Sequence, residues 1–278
     1  MIRDDLGNRM KNYENIPKIS LMRRTPVAIR LDMRAGHTFT KGFCKPFDKV
    51  FMESMQKTMK YLCENIAGCV VGYTQSDEIT LILTDYEKLE TQAWFDNQLE
   101  KLVSISASMA TLAFNKAFTA KVTNLIADYE CQASKGFLSA EIQQEINKYC
   151  AKLQTAADKG AMFDSRAFNI PKEEVTNLIL WRQLDAIRNS INSVGQANFA
   201  HKELQGKSSK EVKQMLLEQK NIDWDKLPIT QQRGSCCIKN EYITTPDLQT
   251  KLHHWIIDNN IPIFKGEDRA YIDKKVGL

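Results

Sequence analysis

Between Val27 and Thr84 the spacing of apolar residues changes from two to helical and back to two, and this succession restricts the fold more than any other feature of the chain. In "VAIRLD", Val27, Ile29 and Leu31 alternate with Ala28, Arg30 and Asp32, the period of a strand, which places Arg30 and Asp32 on one face. Asp48 then stands where a helix cap is needed. Phe51, Met55, Met59, Leu62 and Ile66 follow at helical spacing as a core-facing stripe, and Gly68 ends the helix. "CVVGYTQ" and "ITLILT" are two β-rich runs joined through Ser76, Asp77 and Glu78, which predicts a hairpin with acids at its tip. A long helix is expected from about Trp94 to Lys121, a polar helical insertion around residues 119–160, a strand in "SRAFNIP" from Ser165 that Pro171 terminates, and a helix from Lys172 to about His201. Strand, helix, hairpin, helix, strand, helix is the split order of an α+β fold. It predicts a polymerase-palm (ferredoxin-like) antiparallel sheet carrying helices and a helical insertion.

Neither repeats nor a Pro- or Gly-rich linker divides the chain. Residues 1–278 are therefore expected to form a single palm-type domain, with a C-terminal extension after about residue 240. With 43% hydrophobic and 26% charged residues, it can bury a sizeable core. No apolar run reaches membrane-span length and the N-terminus lacks an apolar signal-peptide core, so no membrane association and a cytoplasmic location are expected. Cys44, Cys63, Cys69, Cys131, Cys150, Cys236 and Cys237 are scattered without a CxxC pair and read as reduced thiols. The adjacent His253 and His254 lack metal-ligand spacing. A net charge of +4 does not by itself announce a nucleic-acid partner, although Arg23, Arg24, Arg233 and the Lys-rich stretch 202–220 could form local basic faces or simply solvated helix faces.

If the "VAIRLD" strand lies beside the hairpin, Asp32 and Asp77 converge, with Glu78 close by. Hard carboxylate oxygens of this kind suit two Mg²⁺ ions working on an in-line phosphoryl displacement, and Arg30, Arg34, His37 and Lys45 would then lie near a triphosphate. A strand ending in Asp and a polar "SDE" turn are also ordinary structural features, so spacing alone leaves both readings open.

The segments "RLDMRAGHTF", "FCKPFD", "GYTQSDEITL", "FDSRAFNIP" and "WRQLDAIRNS" resemble, in order, the motifs of the tRNA-histidine guanylyltransferase family. The match is closest to its bacterial and phage-type guanylyltransferase-like proteins and covers roughly residues 5–240. The resemblance implies a palm-fold nucleotidyltransferase that adds nucleotides to the 5′ end of tRNA in the 3′-to-5′ direction, releasing pyrophosphate. ATP or GTP activates the 5′-monophosphate, and pairing with the opposite strand selects the incoming nucleotide. Two Mg²⁺ ions, GTP and ATP as substrates, a tRNA with a truncated or unrepaired 5′ end, and a homotetramer are implied with it.

Carried over onto this sequence, the resemblance makes Asp32, Asp77 and Glu78 catalytic, and Asp32, Asp77 and the carbonyl of Met33 metal-binding. His37, Lys45, Asp48, Ser76, Lys101 and Arg30 become nucleotide contacts, while Arg166, Arg182 and Arg188 serve tRNA binding or activation. Lys210 or Lys213 would be a further activation lysine. Met33 stands where the family carries Gly, and its side chain is expected to crowd the ion. Gly36 replaces a usual aromatic residue. Ile187 and Arg188 replace the His-containing motif of the eukaryotic enzymes, which favours the repair-type subclass. Arg182, Asp185 and Arg188 also fit i, i+3 ion pairs on an exposed helix face. Two other functions share these residues: a palm-type cyclase or forward polymerase, and a tRNA-binding protein whose metal loop is disabled at Met33.

Overall fold

The computed structural model describes residues 5–135, 139–243 and 251–278. In chain order the elements are α1 (Asp5–Asn15), β1 (Val27–Met33), α2 (Gly36–Phe39), α3 (Lys49–Asn65), β2 (Cys69–Gln75), β3 (Glu78–Leu83), α4 (Leu99–Ser134), α5 (Ala140–Lys159) and β4 (Phe163–Asn169). There follow α6 (Val175–Asn198), α7 (His201–Leu204), α8 (Ser209–Lys220), α9 (Ile229–Arg233), β5 (Ser235–Ile243), β6 (Lys251–Asp258) and α10 (Ala270–Asp273). The described strands form one sheet in the order β4-β1-β3-β2-β5-β6, antiparallel throughout. This is the expected α+β palm: β1 and β2 flank β3, and β4 adds beside β1.

The alternation of β1 sorts its side chains between two cores. Val27, Ile29, Leu31 and Met33 enter the core beneath α3 and α4, where the stripe Phe51, Met55, Met59, Leu62 meets Phe114 and Phe118. Ala28 enters the opposite core, with Val71, Tyr73 and Ile82 from the sheet and Val175 and Ile179 from α6. Arg30 and Asp32 share the parity of Ala28 and therefore lie on the α6 face. A third cluster joins the far half of α6 to α8 through Ile191, Val194, Val212, Leu216 and Trp224, and Phe47 and Ile187 pack against it.

Three boundaries differ from expectation. α4 begins at Leu99 after a 3-10 turn at Trp94–Asn97 and runs unbroken to Ser134, because no Gly or Pro interrupts it after Lys121. The insertion is thus α4 prolonged past the sheet with α5 returning along it. The hairpin turn holds only Ser76 and Asp77, with Ser76 at φ 50°, so Glu78 belongs to β3. No break falls at residue 240: β5 begins at Ser235 and runs through it, β5 and β6 lengthen the sheet, and Phe264, Ile272 and Val276 fill the core on the α6 side. His253 and His254 fall on β6, the side chain of His253 lying outside the described residues. All seven cysteines are free.

Candidate functional site

Register alone assembles an acidic row at one end of the sheet. Asp32 stands opposite Glu78 of β3 on one side and Asp164 of β4 on the other, and directly paired residues point to the same face. The turn adds Asp77, whose main-chain carbonyl accepts the Met33 N–H at 3.0 Å and whose Oδ1 accepts the Ser76 hydroxyl at 2.8 Å. Partial burial raises the Asp32 carboxyl above its usual value, and the charges of Asp77, Asp164 and Glu78 raise it further, against a lowering by Arg166.

Gly36 brings the loop after β1 against this row. A Cβ at Gly36 would lie 2.0 Å from Asp77 Oδ2, so only glycine admits the carboxylate this close to the first turn of α2. The expected crowding by Met33 does not occur. Its side chain is 1% exposed and packed in the α3/α4 core, on the opposite face from Asp32. Its φ is not among the positive values, so the strand conformation suits methionine and its carbonyl remains at the strand end.

Glu78 occupies a different position from a free acid. It is 6% exposed, accepts from Arg182 Nε at 2.7 Å and lies 3.7 Å from Arg30 Nε. The Arg182 side chain is only 11% exposed and also bonds Asp185 at 3.2 Å, whereas Arg188 is exposed and pairs with Asp185. The i, i+3 pairs therefore exist, but Arg182 turns inward to the sheet. Arg166 lies opposite Arg30 across the β1–β4 ladder, exposed, with Asp164 3.9 Å away. Guanidiniums and carboxylates thus alternate on the open face.

His37, next to Gly36 on α2, is exposed beside this end, and Lys45 is exposed on the loop before α3. Asp48 caps α3 as expected. Its oxygens accept from Phe51 N, Cys44 N and the Tyr149 hydroxyl, at 2.9, 3.1 and 2.7 Å, so it fixes the loop and ties it to α5. Lys101 is not brought to the site. Thr111 of α4 accepts the N–H of Phe163, which lies opposite Met33, and Lys101 precedes Thr111 by ten residues. It therefore stands about 15 Å back along the helix, toward the far end of the sheet. Lys213 bonds Asp225 at 2.7 Å on α8, part of the helical cluster packed against the far half of α6. Arg23 pairs with Asp85, and Arg233 turns inward to the Ile261 carbonyl.

Sequence reading missed Asp164. The strand was expected to start at Ser165; extending the alternation back from Arg166 finds the acid.

The donors at the sheet end are hard oxygens: the carboxylates of Asp32 and Asp77 and the Met33 carbonyl. Among the described residues no three His, Cys, Asp or Glu side chains converge as a metal cage. An ion of the Mg²⁺ type, which completes its shell with water and phosphate oxygens, fits such a partial set, and its charge would offset the crowding that raises Asp32. No described helix is long and apolar enough to cross a membrane.

Comparison with known proteins places these residues in context. Residues 7–171 match the Thg1 family, tRNAHis guanylyltransferase. A bacterial tRNA(His) guanylyltransferase (Thg1)-like protein solved with ATP is 40% identical, with TM-score 0.78 over 99% of this chain and 100% of that one. One solved with GTP is 36% identical, with TM-score 0.75 and the same coverage. A probable tRNA(His) guanylyltransferase of Dictyostelium discoideum is 25% identical over 83% of this chain and 80% of its own length.

Proposed function

The chain belongs to the tRNAHis guanylyltransferase family and is a nucleotidyltransferase, and from that premise we propose that it adds nucleotides to the 5′ end of tRNA in the 3′-to-5′ direction, repairing truncated or unrepaired ends. The observation that carries the reading is the meeting of Asp32 and Asp77 at the sheet end, beside an open face bearing Arg30 and Arg166. ATP and GTP, found with the bacterial relatives, are the expected activating and incoming nucleotides.

Asp32, Asp77 and the Met33 carbonyl would hold two Mg²⁺ ions. Bound there, the ions would polarise phosphoryl oxygens and offset charge on the attacking and leaving oxygens. Arg30 and Arg166 receive the phosphates of the activated end, and His37, Lys45 and Ser76 flank the triphosphate of the incoming nucleotide. Activation of the 5′-monophosphate by ATP releases pyrophosphate and leaves the end adenylylated; the 3′-hydroxyl of the incoming nucleotide then attacks that 5′ phosphorus and expels AMP. Glu78 enters as a positioning residue that fixes Arg30 and Arg182. The packing of Met33 away from the acids supports a working metal loop over a disabled one.

A cytoplasmic homotetramer belongs to the same reading. Self-association is supported by α1, none of whose residues is buried and whose Leu6, Met10 and Tyr13 form an exposed apolar stripe suited to a second copy.

Labelled GTP with Mg²⁺ and a tRNA lacking its first 5′ nucleotide tests the proposal. Template-directed incorporation is expected from the wild type, and a loss of at least a hundredfold, ~3 kcal/mol, in Asp32→Ala and Asp77→Ala with tRNA binding retained. Undiminished incorporation by either variant would sink the metal assignment.

A further inference from the structure

We propose that Trp181 is a stacking platform for a nucleobase whose phosphates sit on Arg30 and Arg166, a role that rests on the nucleotidyl-transfer reading and extends it to recognition of the base. Trp181 is the residue before Arg182 on α6 and is 53% exposed, an unusual state for the largest apolar side chain on a helix that buries its neighbours Ile179, Gln183 and Ala186.

Its position is held from below. The Arg182 guanidinium lies 4.6 Å from the ring centroid and that of Arg30 lies 5.6 Å away. Both cations are tied to buried Glu78, Arg182 through the 2.7 Å bond and Arg30 at 3.7 Å. The indole is thus fixed by two guanidiniums that cannot easily leave. An exposed aromatic ring with restricted motion is what a sequence-tolerant base contact needs, because every base offers a π face and little side-chain entropy remains to be lost.

The surroundings name the ligand. Arg30 is opposite Arg166 across the ladder and Asp32 is the next residue on the same face of β1. A base stacked on the indole therefore carries its phosphates toward guanidiniums at the edge of the acid row. An apolar ligand would leave those cations unused, and a bare phosphate would leave the ring unused. A purine nucleoside triphosphate and the 5′-terminal nucleotide of an RNA strand both present base and phosphate in this arrangement, and binding separates them.

Equilibrium binding of ATP, of a 5′-monophosphorylated RNA hairpin lacking its first nucleotide, and of tripolyphosphate should be measured for the wild type, Trp181→Ala and Trp181→Phe. Trp181→Ala is expected to weaken ATP or the hairpin about tenfold to a hundredfold, with Trp181→Phe close to wild type and tripolyphosphate unchanged in all three. The ligand that responds identifies the source of the base. Indole emission in the wild type should fall on binding that ligand, and the fall should shrink in Trp181→Phe, which still binds. Equal affinity of Trp181→Ala for ATP and hairpin overturns the platform while leaving the nucleotidyltransferase reading intact. So does a thermal-melting loss in Trp181→Ala with tripolyphosphate weakened equally, which would make the ring only a cover for the ion pair. Failure of the wild type to bind either ligand overturns both.

Discussion

At the scale of single residues, the end of β1 and the loop after it are shaped by Met33 and Gly36, and substitutions at the two should have opposite signatures. Met33 fills the core beneath α3 and α4 while lending only its carbonyl to the strand end. Glycine at this position removes a fully buried side chain, so Met33→Gly is expected to cost about 3 kcal/mol in urea unfolding and to gain no incorporation. Gly36 makes room for Asp77, and an added methyl would displace the carboxylate, its nearest obstacle. Gly36→Ala should therefore lower incorporation by tenfold or more with little change in unfolding, since misplacing a reacting group by about 1 Å can cost a hundredfold. Higher activity in Met33→Gly, or equal activity in Gly36→Ala, would contradict these packing arguments.

At the scale of elements, α6 and β3 are joined by a buried charge rather than by apolar contact alone. The side chains of Arg182 and Glu78 are 11% and 7% exposed, and removing one partner leaves the other desolvated without its main counter-charge. Arg182→Met is expected to lower stability by about 3 kcal/mol, and Glu78→Gln added to it should recover part of that loss. A double variant no more stable than Arg182→Met would show that Arg30 alone satisfies Glu78. The pair also explains why the short turn matters. With two residues between β2 and β3, Glu78 is drawn into the ladder opposite Asp32, where α6 can reach it; a third turn residue would leave it at the tip.

At the scale of the whole molecule, the two faces of the sheet divide the labour. α3 and α4 seal one face, while α6 covers only part of the other and leaves Asp32, Asp164 and Arg166 in reach of solvent. The uncovered α1 has too little packing of its own to be stable as an isolated helix of 11 residues. Sedimentation is expected to give a tetramer, and Leu6→Glu with Tyr13→Glu should shift it to smaller species; an unchanged mass would place the contact elsewhere. Local pattern made much of this arrangement legible. Alternation in "VAIRLD", the stripe from Phe51 to Ile66 and the acids between two β-rich runs specify a strand, a helix and a hairpin, because each is a periodicity imposed by the backbone on its own neighbours. Together with the long helix, the strand in "SRAFNIP" and the helix after it, those residues predict the palm, and the first strand set beside the hairpin brings Asp32 to Asp77. The partners of side chains were decided only by the tertiary structure. Glu78 is bound to a residue 104 positions away, Asp164 meets Asp32 through a register no local pattern records, the Met33 side chain faces away from Asp32, and Lys101 lies along a helix whose phase and length place it elsewhere. Periodicity tells which face a side chain occupies, whereas charge pairing and burial depend on what long-range packing sets against that face.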